Sequence, residues 1–455
     1  MPSLKKLGYK SPNEKLNIAA IGVAGQGQGN ILKCESENIV AFADCDAKHA
    51  EIMFQWYEKV HKYSDYRKML DKEGNNIDAV IITIPDHGHA YAAMRCMERG
   101  KHVYLEKPLT RTVWEARVLA EAAAKYKVAT QMGNQGYSTE GERIAAEIIW
   151  SGEIGDVTEV YAWTDRPIPY ASFGMDKVPP EEKVPETLDW DIWLGPAAYR
   201  PYSSAYLPFD WRAFFDFGSG ALGDIACHVL GAVNMALRLC PPTSVEVIMQ
   251  EGKNSLTFPK KSETHFHFPA RGAFPPLKIV WMDAASGPMY HPPGIPEDEP
   301  LIAGSDAFGE GEASPAAPQS KIPTAPQRRN LIPKGLYSNG AVFVGTKGYL
   351  TSDTYGANIR LLPLSRHKEY RLPPKVLTRS PGHHQDWIRA CKGVEPAPCS
   401  NFAISGPLTE IVQLAAVALR FEGKLEWDSN KMRFTNNEAA NEYLRPKVRK
   451  GWEIV

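Results

Sequence analysis

The stretch LNIAAIGVAGQGQG, Leu16 to Gly29, decides how the rest of this 455-residue chain is read. Leu16 to Ile21 is an apolar run of strand length, and it ends directly on a turn containing Gly22, Gly25, Gly27 and Gly29. A glycine-rich turn between a strand and a helix lets backbone N–H groups approach a pyrophosphate at the helix N-terminus. Gly22, Ala24, Gly25, Gln26 and Gly27 are therefore candidate cofactor contacts, although Ala24 stands where the G-x-G-x-x-G fingerprint has its second glycine. The next strand, Ile39 to Ala43, ends at Asp44. A carboxylate about 20 residues beyond the turn binds a ribose diol and repels a 2′-phosphate, which favours NAD over NADP. Capping the following helix, a job equally open to Asp46, is the alternative reading of Asp44.

Outward from this turn, the chain alternates. Strands are expected at Ala79 to Ile84, His102 to Leu105 and Val128 to Gln131, and helices at Lys48 to Val60, His89 to Arg99 and Val113 to Tyr126. Such βαβ alternation predicts a doubly wound parallel sheet, a Rossmann domain over residues 1–137. Three strands end in polar clusters: PDHGH from Pro85, EKP from Glu106, and GNQ from Gly133. Ligands of open parallel sheets sit outside the carboxyl ends of the strands. Pro85, Asp86, His89, Glu106, Lys107 and Asn134 thus join the cofactor candidates.

Composition narrows the class. The 52 basic and 53 acidic residues leave a formal charge of -1, so nothing favours nucleic acid or an anionic membrane as partner. Seven cysteines without a C-x-x-C pair argue against a disulfide framework and a zinc site, and suit a reducing compartment. No apolar leader core precedes the first strand and no stretch spans a bilayer, so a cytoplasmic protein is expected, a removed leader being equally compatible.

Together GVAGQG, TIPDHGHA, EKPLT and GNQG resemble the glucose-fructose oxidoreductase and inositol dehydrogenase family (Gfo/Idh/MocA), and the resemblance runs over nearly the whole chain. It implies a C-terminal α/β domain with a large, open, mainly antiparallel sheet, here residues 138–455, facing the cofactor. It also implies that Lys107 is catalytic or orients substrate, and that the peptide bond after it is cis.

Past Gly136 a helix is expected at Glu140 to Trp150 and a strand at Asp156 to Thr164. The aromatic, proline-rich passage from Asp165 to Arg212 has the makeup of a packed lid. Tyr137, Arg166, Trp211 and Arg212 are candidate substrate contacts. The segment GSGALGDIACHVLGAVNMAL, Gly218 to Leu237, reads as a helix with Asp224 and His228 at i and i+4 on one face. A carboxylate one turn before an imidazole can orient it for acid–base work, while a satisfied core histidine is the plainer reading. The resemblance favours the functional pair, since family members carry Asp-x-x-x-His in this helix.

Further strands are expected at Ser244 to Glu251, Ser262 to Phe268 and Leu277 to Met282, with His265 and His267 sharing a face. An irregular Pro/Gly-rich insertion covers 284–334, strands resume from Gly340, His384 is a candidate substrate contact, and the basic C-terminus reads as an arm.

The expected chemistry is reversible hydride transfer between a sugar or polyol carbon and nicotinamide, with His228 the preferred base, Asp224 its orienter and Lys107 on the reacting oxygen. Whether Lys107 or His228 takes the proton stays open. Two rivals are an NAD-dependent glycosidase with no net cofactor consumption and a non-catalytic sensor of nucleotide and sugar. An open sheet calls for covering, so a homo-oligomer, dimer or tetramer, is expected through the C-terminal sheet.

Overall fold

The structure, a computed structural model, describes residues 14–167, 170–285, 288, 290–302, 307–309 and 339–454. Most of the insertion expected over 284–334, and residues 1–13, lie outside these.

The first sheet is all parallel and contains β1 (Asn17–Ile21), β2 (Asn38–Ala43), β3 (His61–Tyr63), β4 (Ala79–Ile82), β5 (His102–Glu106) and β6 (Thr130–Gly133). Its order, β3-β2-β1-β4-β5-β6, is that of a doubly wound nucleotide-binding domain. Ile18, Ala20, Val80 and Ile82 are fully buried or nearly so, because helices cover both faces. Val113–Tyr126 is the helix expected, opened by a capping box between Thr112 and Glu115. The helix expected over Lys48 to Val60 forms only at Glu51–Trp56. β3, three mostly exposed residues at the sheet edge, carries no strand signal, and the helix Tyr66–Glu73, which Asp65 caps and which buries Tyr66, Met69 and Leu70 at i, i+3 and i+4, is an addition to the expected helices.

The second sheet runs through β7 (Val157–Thr164), β8 (Ser244–Glu251), β9 (Lys261–Phe268), β10 (Leu277–Met282), β11 (Asn339–Gly345), β12 (Gly348–Asp353), β13 (Ile359–Leu362), β14 (Gly423–Asp428) and β15 (Arg433–Phe434). Its order is β13-β12-β11-β7-β10-β9-β8-β14-β15, and every pairing is antiparallel except β7 with β10. Alternation decides the two faces. Along β9, Thr264, Phe266 and Phe268 are buried on the helix side, while Glu263, His265 and His267 stand on the more open side. His265 there meets Glu263 at 2.7 Å, so this histidine pair serves the outer face.

The chain then returns to the first sheet. The helix His383–Cys391 lays Trp387, fully buried, into one apolar cluster with Ile18, Phe42 and Ile81. The C-terminus is no free arm: Arg449 bonds the Gly195 carbonyl at 2.8 Å, and the Arg67 guanidinium lies 4.3 Å from the Trp452 ring.

Candidate active site

Between β1 and β4 the strand order reverses, and there the glycine turn closes on the next crossover. Gly22 has φ 76, and a Cβ on it would sit 2.1 Å from the Thr83 carbonyl oxygen. Only glycine fits both the dihedral and the approach. Gly25 (φ 55) precedes the helix Gln26–Leu32 and needs glycine for conformation alone, a Cβ there meeting open space. Gly27 packs the helix onto the turn, its Cβ position 2.2 Å from the Gly22 carbonyl oxygen.

A cavity of about 880 Å³ opens at this turn and is lined from both parts of the chain. Gly22, Ala24, Gly25, Gln26, Asp44, Pro85, Asp86, Glu106 and Lys107 line it from the first domain, and Arg166, Trp211, Arg212, Asp224 and His228 from the second. The Asp44 carboxylate accepts from the backbone N–H of Val23 at 2.9 Å and of Asp46 at 3.0 Å. These bonds tie the end of β2 to the glycine turn. The cradle, the acidic residue and the cavity's length fit a nicotinamide dinucleotide.

In this wall, two halves of the chain meet on one carboxylate. Lys107 Nζ donates to Asp224 Oδ1 at 2.8 Å and also to the Asp224 carbonyl. Arg212 Nε lies 3.3 Å from Oδ1 and Arg166 Nε 3.4 Å from Oδ2. Burial pushes Asp224 up, but the charges of Lys107, Arg212 and Arg166 outweigh it and hold the carboxyl far below its ordinary range. Burial likewise opposes the Lys107 charge, and Asp224 carries the ammonium above its ordinary value. Lys107 is thus a fixed cation. The Lys107–Pro108 bond is cis.

His228 lines the same cavity, 5% exposed, with the Tyr355 ring 4.9 Å away edge-on. Burial and the Lys107 charge push its imidazole down to about 3, so it is neutral at physiological pH. Asp224 does not orient it: the two share no hydrogen bond, and Nδ1 of His228 has no partner among the described residues. Leu222–Ala226 form a π turn before the α-helix Cys227–Leu237 begins. Both side chains still line the cavity, but the Asp224 oxygens are taken by Lys107, Arg212 and Arg166.

Four other expected contacts belong to the scaffold. His89 is buried, its ring nitrogens 2.8 Å from the Pro108 and 2.7 Å from the Ile84 carbonyl oxygens, so it braces the Lys107 loop. Asn134 turns to Ser400 Oγ at 2.6 Å and the Cys227 carbonyl at 3.4 Å; its neighbour Gln135 reaches the cavity instead. Tyr137 packs inward, its hydroxyl accepting from Asn234 at 2.9 Å. His384 stacks on Tyr104 with centroids 4.8 Å apart and meets Asn30 Oδ1 at 3.0 Å. That Asn30 donates to Glu106 at 2.9 Å, and Gln135 donates to the same oxygen at 3.0 Å. Glu106 is thereby positioned under Lys107, with burial raising its carboxyl.

Tyr170, Trp193, Phe209 and Tyr355 also line the cavity. The aromatic passage announced the first three as a class. Tyr355 sits in a short turn after β12 and carried no signal. Among the described residues, no group of three His, Cys, Asp or Glu side chains could hold a metal ion.

The depressed His228 value has a stability consequence. The unfolded imidazole binds a proton below about pH 6.5 and the folded one does not, so its contribution is complete above that pH and is withdrawn as pH falls toward 3. The difference in unfolding free energy between the parent and His228→Gln should shrink by roughly 2 kcal/mol between about pH 8 and pH 5. A difference independent of pH in urea titrations would show the imidazole protonated in the fold.

Comparison with known proteins agrees with this geometry. The family model described as the oxidoreductase family, NAD-binding Rossmann fold, matches residues 16–134, and that of its C-terminal alpha/beta domain matches 160–256. A glycosyl hydrolase family 109 protein of Shewanella sp. (strain ANA-3) is 29% identical over 33% of this chain and 35% of its own length. The match thus spans about a third of that relative. Inositol 2-dehydrogenase of Serratia proteamaculans is 25% identical over 51% of this chain and 76% of its own. The WlbA dehydrogenase from Bordetella pertussis, solved with NADH and UDP-GlcNAcA, shares the fold at TM-score 0.56 and 14% identity, covering 89% of this chain and 96% of that one.

Proposed function

From its membership of the Gfo/Idh/MocA oxidoreductase family, carried by both matched domains, we propose that this chain transfers a hydride between nicotinamide and a hydroxyl-bearing carbon of a sugar, polyol or glycoside. The observation that carries the reading is that Lys107 and His228 line the same cavity as the Gly22 turn. Bound there, NAD would supply the hydride acceptor. The chain supplies the rest. Lys107, kept charged by Asp224, binds the substrate oxygen and stabilises the negative charge that develops on it. His228, neutral and without a hydrogen-bond partner among the described residues, takes the hydroxyl proton. Trp211 and Tyr170 offer flat apolar faces to a sugar ring, and Arg166 and Arg212 offer donors to its oxygens.

The test is a panel of sugars, polyols and glycosides with NAD, scored by NADH formed. Inositol 2-dehydrogenase among the relatives supports net oxidation, and the family 109 glycosyl hydrolase supports a redox-cycling glycosidase as the second reading. Stoichiometric NADH identifies the dehydrogenase; glycoside cleavage with catalytic NAD identifies the glycosidase. Binding of NAD and sugar without any turnover would revive the sensor.

NAD is the preferred cofactor because the Asp44 carboxylate would oppose a 2′-phosphate. Asp44→Ala should lower the preference for NAD over NADP at least tenfold in KM ratios, about 1.4 kcal/mol. An unchanged ratio would remove Asp44 from cofactor choice. A homo-oligomer covering the half-exposed part of the second sheet around Glu246, His267 and Lys278 fits this reading, and a monomer mass by light scattering would refute the oligomer. All seven cysteines are free, which supports a reducing, cytoplasmic location.

A further inference from the structure

A second cavity, of about 290 Å³, shares no lining residue with the first. Six segments enclose it: the loop after Lys107 with Arg111, Ala197 with Ala198, the stretch Phe215 to Gly218 leading to Asp224, Phe258, the end of the helix Phe402–Ala418 with Arg420, and residues 442–447. Its charges are unbalanced. Arg111, Arg420, Arg445 and Lys447 face it, against Asp216 and Glu442. Asp216 is already engaged by Arg200, and Glu442 lies 3.9 Å from Lys447. Neither Arg111 nor Arg420 has an ion pair among the described residues. Arg111 donates to the Phe215 carbonyl at 3.0 Å, and its Nε is buried without a partner. Glu115 is near enough to feel the Arg111 charge, but its carboxylate accepts from the Thr112 backbone.

Arg420 is held in a fixed plane, its guanidinium 3.7 Å from the Phe215 ring and 4.4 Å from the Tyr443 ring. Stacking on ring faces leaves the edge donors of a guanidinium available for in-plane, bidentate bonding. Burial and the like charge of Arg111 push Arg420 down to about 10, so its cation is under electrostatic strain that an anion would relieve. Beside these charges the wall is apolar, with Phe258 and Val417, and carries Gln413, whose Oε1 accepts no hydrogen bond among the described residues. That combination suits an anionic group attached to a small body with hydroxyls.

We propose that this cavity binds the phosphate of a small hydroxylated phosphate ester, with Arg111 and Arg420 on the phosphate and Phe258, Val417 and Gln413 on the organic part. Arg111 lies in the loop that carries Lys107, and Gly218 opens the segment that carries Asp224. Occupancy therefore ties both catalytic segments to the C-terminal stretch.

The experiment is calorimetric titration of the protein saturated with NAD, so that the pyrophosphate cradle is filled, using inorganic phosphate, glycerol 3-phosphate and glucose 6-phosphate, with glycerol and glucose as uncharged controls. The expected result is binding of the phosphate compounds at least tenfold tighter than of the uncharged parents. Arg420→Gln should weaken it at least tenfold with NAD affinity unchanged. An ester that binds tighter than inorganic phosphate identifies a metabolite as occupant; equal affinity identifies free phosphate. Arg445→Gln, on the exposed rim, gives a smaller loss in the same direction and serves if Arg420→Gln does not fold. The proposal is overturned if no phosphate compound binds at about 10 mM, a limit near 3 kcal/mol of binding free energy, or if both variants bind as the parent does.

Discussion

Replacing Lys107 by alanine will lower turnover about 10²–10³-fold, the scale for losing a donor to a developing oxyanion, while NAD affinity stays within about tenfold, roughly 1.4 kcal/mol. The split follows from where Lys107 stands. Its backbone belongs to the loop after β5, so the glycine turn and Asp44, which lie beyond β1 and β2, keep their places without its side chain. Its Nζ is spent on Asp224, whereas Asp44 bonds the Val23 backbone in the glycine turn. The fold should tolerate the change, because Arg212 and Arg166 remain as partners of the Asp224 carboxylate. Measuring kcat with saturating NAD, alongside NAD titration by intrinsic fluorescence, separates the two effects. Lost NAD binding with chemistry intact at saturating cofactor would contradict the assigned role.

Asp224→Asn will do the reverse to stability. The variant keeps the shape but removes the one negative charge on which Lys107, Arg166 and Arg212 converge, in a place where Lys107 is 14% and Asp224 10% exposed. Removing one member of a buried charge set leaves its partners uncompensated and costs about 3–5 kcal/mol. Lys107 should then lose the influence that raises it, and its ammonium should titrate at lower pH than in the parent. Urea unfolding and the pH profile of kcat measure the two effects. A parent-like unfolding midpoint would mean that the three cations do not depend on this carboxylate.

The contrast between these variants also separates what could be read early from what could not. Lys107 stood out because strand period, a following proline and a βα context all coincided in ten residues. Asp224 stood out for a reason that failed in detail. Its spacing to His228 does put both on the cavity wall, but the carboxylate serves Lys107 and two arginines from other elements. His89, Asn134, Tyr137 and His384 had the right residue type and neighbourhood. Each found a backbone or side-chain partner inside the scaffold, because a buried polar group must be hydrogen-bonded and interior partners were nearer than the cavity. Tyr355 had no local signal, since its proximity to His228 depends on how β12 is set against the helix Cys227–Leu237.

By itself the sequence determined the layers: a parallel nucleotide-binding sheet, a mainly antiparallel second sheet, and the strand end on which Lys107 sits. Those are set by periodicity and by glycine and proline stereochemistry within a few residues, which are local properties. Tertiary structure alone decided which polar side chains face the cavity and which are consumed as braces, that Asp224 pairs across the two domains rather than with His228, and that Arg111 and Arg420 share a second cavity. Those depend on tertiary contacts, such as that of Lys107 with Asp224 across 117 positions, where side-chain direction follows from packing and no chain-local pattern encodes it.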